Sequence, residues 1–115
     1  MLFRSLVALE TVPVRLGLVA AAEDWTWSSA AHHLGRRRDP LVTEHSSYWA
    51  LGNTPFERES VHAKNLNEGL APAITAAFEG AAHRGQVLGS DAFNTKIFAS
   101  ARRSVSPRRR GRPPR

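Results

Sequence analysis

Glycine and proline stops interrupt every apolar-periodic segment of this chain, and they limit it to short helices joined by short loops. The clearest case is "TPFERESVHAKNLNEG". Thr54 is an N-cap, Pro55 takes the first helical position, and Glu57 stands three residues after Thr54 to complete a capping box. Gly69 then ends the helix. The same grammar recurs on either side. "LFRSLVALET" carries Leu2, Phe3, Leu6, Val7 and Leu9 on a broad apolar face, and Pro13 opens a new short helix, "PVRLGLV". Ser28 or Ser29 caps the next segment and Gly35 stops it. "RRRDPLVTEHSS" reads as a loop by its charge and its proline. "APAITAAFEGAAHRG" is a helix from Pro72 to Gly85, with Gly80 inside it at a cost of roughly 1 kcal/mol against alanine. Ser90 caps "DAFNTKIFASARR", where Phe93, Ile97 and Phe98 share a face. No stretch alternates as a strand does. The reading is all-α: a small helical region over residues 1–103, with Trp25, Trp27, Leu34, Phe78, Phe93 and Ile97 in its core, then an Arg/Pro-rich tail, 104–115, expected to be disordered.

Charge divides the chain at the same place. The net charge is +6 over 115 residues. Arg102, Arg103, Arg108, Arg109, Arg110, Arg112 and Arg115 fall in the last fifteen positions with no acid among them, leaving nine bases against ten acids, −1, for residues 1–100. A concentrated basic end is the footprint of a polyanion partner, nucleic acid first and an anionic membrane surface second. Without cysteine there is neither a disulfide framework nor a thiol nucleophile. "LVALETVPVRLGLVAAA" is broken by Glu10, Pro13 and Arg15 well short of about 20 apolar residues, and Glu10 also spoils it as a secretory signal. The expected location is cytoplasmic and nucleoid-associated.

Three stretches, "VPVRLGLVAAAEDWTWSSAAHHLG", "RGQVLGSDAF" and "RRRGRP", appear in the order and at the spacing of the C-terminal half of REP-associated tyrosine transposases. These are bacterial members of the HUH superfamily of single-strand transposases. The family writes the first stretch roughly as Asn-Pro-Val-Arg-Ala-Gly-Leu-Val followed by Asp-Trp-Pro-Trp-Ser-Ser-Ala. Pro13, Val14, Arg15, Gly17, Leu18 and Val19 match it, as do Asp24, Trp25, Trp27, Ser28, Ser29 and Ala30. The resemblance covers nearly the whole chain, loosely over 40–80.

The resemblance implies transposition chemistry on single-stranded hairpin DNA: a tyrosine hydroxyl attacks the scissile phosphorus while a divalent metal, held by a His-apolar-His pair, polarises the phosphate. The family's tyrosine sits five residues before the motif proline, where this chain has Ala8. The motif asparagine is Val12. None of His32, His33, His45, His62 and His83 forms a His-x-His. The expectation is a catalytically inactive C-terminal remnant of such a transposase, with no catalytic residue, no metal ligand and no cofactor.

The closing "SPRRRGRPPR" supplies the DNA-binding candidates, Arg108, Arg109, Arg110, Gly111, Arg112, Pro113 and Arg115. "RGRP" resembles the AT-hook core, a minor-groove peptide. Gly111 lets the backbone approach the groove floor, Pro113 and Pro114 keep the chain extended, and the narrow A·T minor groove draws arginine in. The competing reading is a tail that binds any nucleic acid. Partners are therefore A·T-rich duplex DNA, or single-stranded hairpin DNA by the resemblance, and a full-length transposase if the helices act as a docking module. A decayed reading frame is the third alternative.

Other positions have plainer readings. Tyr48, the one tyrosine, reads as a packing residue beside Trp49 rather than a displaced nucleophile. Trp25 and Trp27 read as core rather than as base-stacking platforms. His32 and His33 point about 100° apart on a helix and do not converge on one ion; they read as a solvated helix end. Arg36, Arg37 and Arg38 are solvated or touch phosphates. The helices around "RGQVLGS" are an ordinary packed pair or a helix-turn-helix whose second member offers Asn94, Thr95 and Lys96.

Overall fold

A computed structural model describes residues 2–101 and Gly111. The described residues are helical, with no strand among them, as the punctuation requires. They fall into two compact units, Met1–Ala71 and Pro72–Arg115. No helix among the described residues is long and apolar enough to cross a membrane.

The first unit opens with α1, Leu2–Glu10. Pro13 has no N–H to offer the carbonyl four residues back, so the helix breaks at Thr11 and resumes as α2, Val12–Arg15. A single 3-10 turn, Ala22–Asp24, leads to α3, Ala30–His33. The Ala30 N–H is capped by the Ser28 hydroxyl at 3.1 Å. Gly35, at φ +71°, ends α3 in a Schellman arrangement: its N–H reaches the His32 carbonyl and the Arg36 N–H the Ala31 carbonyl. At the end of the expected loop begins a helix the sequence did not announce, α4, Ser46–Trp49, capped by His45, whose Nδ1 accepts the Ser47 N–H. Then α5, Pro55–Glu68, carries both halves of the Thr54–Glu57 capping box and stops at Gly69.

The second unit holds α6, Pro72–Arg84, and α7, Asp91–Ala101. The first runs through Gly80 without a break. The second starts where Ser90 accepts the Phe93 N–H at 3.2 Å and buries no side chain fully.

Of the six residues expected to be largely buried, Trp25, Leu34, Phe78 and Ile97 are partly buried, whereas Trp27, 90% exposed, and Phe93, 46% exposed, are not. The interior of the first unit is lined by Val7, Ala8, Ala22, Ala30, Ala31 and Tyr48, and its largest fully buried side chains are His62 and Glu10. Alanines let the short helices approach closely, and the buried polar side chains Glu10, His33 and His62 lie among them.

Candidate functional site

Glu10 is the last residue of α1 and lies on the same stripe as Phe3 and Val7, at helical spacings of seven and three. Val7 and Glu10 are both buried. Its carboxylate accepts from three directions: Ser29 Oγ at 2.6 Å, His33 Nδ1 at 2.6 Å and His62 Nε2 at 2.7 Å. Helices α1, α3 and α5, distant in sequence, are thereby joined at one carboxyl group. His33 and His62 are 4% and 0% exposed. The two rings meet edge to face with centroids 5.5 Å apart, and Phe3 stands against His62 in the same way. Tyr48 of α4 closes the cluster. Its ring lies 4.7 Å from that of His33 and its hydroxyl donates to the His33 carbonyl at 2.8 Å.

The electrostatics follow. Burial alone pushes the Glu10 carboxyl up, but hydrogen bonds from His33, His62 and Ser29 outweigh it and hold the group at about 2. Tyr48 is pushed up, first by its own burial and then by nearby carboxylates such as Glu59. His62 Nδ1 is buried without a hydrogen-bond partner among the described residues, so the ring is held by its Nε2 hydrogen bond and by packing against Phe3, His33 and Tyr48.

His32 and His33 do diverge. Neither, however, is part of a solvated helix end. His33 turns inward to Glu10, while His32 accepts the Asp39 N–H at Nδ1 and meets Glu44 through Nε2 at 2.7 Å. That bond also pulls the Glu44 carboxyl below its ordinary range. Tyr48 packs as expected, although against His33 and His62. Trp49 is exposed and lies under the Arg58 guanidinium, 4.3 Å from ring centroid to cation.

A second feature lies on the surface. Trp27, Thr26, Arg37, Arg38 and Leu41 line an open cleft of about 450 Å³. Arg37 is fixed there by donating from Nη2 to the Thr26 carbonyl at 2.9 Å, with Asp39 3.7 Å away. Arg36 and Arg38 are exposed. An unburied indole beside guanidinium groups presents a flat apolar face together with phosphate-seeking charge.

Of the positions singled out in the sequence, Ala8 is 6% exposed and offers no reactive group. Gly111 is exposed; Arg108, Arg109, Arg110, Arg112, Pro113 and Arg115 lie outside the described residues. The Glu10–His33–His62 cluster was missed. The available signal was a carboxylate placed on the apolar stripe of α1; nothing local pairs it with a histidine 52 positions away. No family model, curated protein or solved structure matches the chain.

Proposed function

We propose that this chain is a DNA-binding module of the kind found in the C-terminal part of REP-associated tyrosine transposases, without nuclease activity of its own and acting at the nucleoid. The observation that carries the reading is Trp27, 90% exposed in a cleft shared with Arg37 and Arg38. An indole that large, left out of a small domain's interior, forgoes about 1.5–3 kcal/mol of burial, and a stacked base recovers about 1–3 kcal/mol. The resemblance of "VPVRLGLV" and "EDWTWSSA" and the arginines of the last fifteen positions support the same conclusion. Ala8 at the family's tyrosine position supports the absence of strand cleavage, since a methyl group cannot attack phosphorus.

The test is a titration of single-stranded and duplex DNA into the full chain and its Trp27→Ala variant, read by fluorescence anisotropy with Mg²⁺ present. The variant should bind single strands at least about 5-fold more weakly, the equivalent of 1–3 kcal/mol of stacking, and no covalent protein–DNA adduct should form. Equal affinity of the two proteins would remove Trp27 from the site. Failure of the parent chain to bind any DNA would overturn the reading.

A second reading, a module that docks on a full-length transposase, is favoured by the exposed Leu9, Leu16 and Leu18 along α1, α2 and the following turn. Capture of such a transposase from nuclease-treated lysate, lost on Leu16→Glu, would support it.

A further inference from the structure

We propose that Glu10, His33 and His62 form a structural site for a divalent cation, zinc by the chemistry of the donors, which fastens α1, α3 and α5 to one another. The three donor atoms come from three helices and lie within 4.8 Å of one another. Two imidazole nitrogens and one carboxylate oxygen are a zinc-type set, softer than the all-oxygen shells that suit magnesium and calcium. All three side chains are at most 5% exposed, so an ion held by them would be shielded from bulk solvent.

The other histidines define the choice by contrast. Both nitrogens of His32 are engaged, by Asp39 and Glu44. His45 Nδ1 caps α4. His33 Nδ1 and His62 Nε2 are hydrogen-bonded to Glu10, and the far nitrogen of His62 has no hydrogen-bond partner among the described residues.

The need for a fastening comes from the interior itself. The buried apolar residues of the first unit are few and small: Val7, Pro13, Tyr48 and four alanines. A single core in a unit of about 70 residues rarely supplies more than marginal stability, and a metal is one of the devices by which small domains add to it. Without cysteine the disulfide route is closed, and the groups at the centre of this unit are metal ligands.

Ion binding replaces two hydrogen bonds by coordination. Each neutral ring keeps its single proton by carrying it on the other nitrogen, Nε2 of His33 and Nδ1 of His62; a ring entering as imidazolium releases one proton to solvent. Donor–ion arms of about 2.0–2.1 Å set tetrahedral donors about 3.3 Å apart, so a nitrogen now hydrogen-bonded to the ligating oxygen at 2.6–2.7 Å draws back and any donor pair nearer the 4.8 Å limit closes. Ser29 Oγ, 2.6 Å from Glu10 Oε1, or a water takes the fourth position.

The experiment uses the full chain, stripped with chelator and titrated with Co²⁺ and Zn²⁺. One ion per chain should bind. Co²⁺ should give the intense visible bands of tetrahedral coordination, and ¹⁵N imidazole spectra should move at Nδ1 of His33 and Nε2 of His62 while His32, His45 and His83 stay in place. The thermal midpoint should rise by several degrees with Zn²⁺ and not with Mg²⁺. His62→Ala should abolish these effects and His45→Ala should not. If His62→Ala does not fold, the imidazole spectra of the parent chain decide. Octahedral Co²⁺ alone, shifts confined to His45 or His83, or a midpoint indifferent to Zn²⁺ would each overturn the site.

Discussion

Glu10 accepts three hydrogen bonds while only 1% exposed, so its charge state is tied to folding. Its pKa in the folded chain is about 2 against an ordinary 4.5. The unfolded chain therefore takes up a proton first as pH falls. The stabilisation is fully present above about 4.5 and is lost between there and about 2, and the shift corresponds to roughly 3 kcal/mol. In chelator-treated protein, urea unfolding followed from neutral pH down to about 2 should show a steep acid limb. Glu10→Gln should be less stable at pH 7 and should show a much flatter limb. Parallel acid limbs for the two proteins would mean that other carboxylates set the dependence. The same residue shows where sequence reading fails. On α1 it looks like an interruption of an apolar segment, because its three donors come from positions 29, 33 and 62 and no local pattern joins them.

At the level of single elements, one substitution tests two different glycines. Gly35 closes α3 at φ +71°, and a Cβ there would stand 2.5 Å from the Glu59 carboxylate. Gly35→Ala should cost about 1–2 kcal/mol from the left-handed backbone, before any displacement of Glu59. Gly80 sits inside α6, where a Cβ would meet only the tip of the Arg84 side chain at 3.0 Å. That tip can swing away, so Gly80→Ala should stabilise by about 0.5–1 kcal/mol. Thermal unfolding of the two variants should move in opposite directions; a shared sign would contradict this account. The contrast also explains what was legible. Caps and stops act within three or four residues, so the Thr54–Glu57 box, Gly35, Gly69 and the α6 boundaries could be read directly. Helix α4 could not, since its cap is a histidine, outside the usual set of Ser, Thr, Asp and Asn. Size and hydrophobicity alone do not decide burial: Trp25, Leu34, Phe78 and Ile97 are partly buried, Trp27 and Phe93 exposed. Here the short, alanine-lined helices close around Glu10, His33, His62 and Tyr48, and Trp27 stays outside.

Over the whole molecule, charge separates a nearly neutral helical part, −1 over residues 1–100, from seven arginines in the last fifteen positions. On the proposed reading, long-range attraction to DNA would come from those arginines. If "SPRRRGRPPR" works as a minor-groove arm, the full chain should prefer A·T-rich to G·C-rich duplex at matched salt. The A·T groove offers acceptors to arginine, whereas the guanine amino group projects into the path. Affinity should fall steeply with salt, with a log–log slope near −0.9 for each phosphate engaged. Replacing Gly111 and Arg112 by alanine should erase the A·T preference, because the backbone can no longer approach the groove floor and the inserted guanidinium is gone. Arg108, Arg109 and Arg110 would still neutralise phosphates, so most of the salt-dependent binding should remain and the slope should shrink by about 1. Anisotropy titrations of both proteins into both duplexes at two salt concentrations measure all of this. Equal affinity of the parent chain for the two duplexes would leave the arginines as a general polyanion contact and put any choice of target on the surface around Trp27.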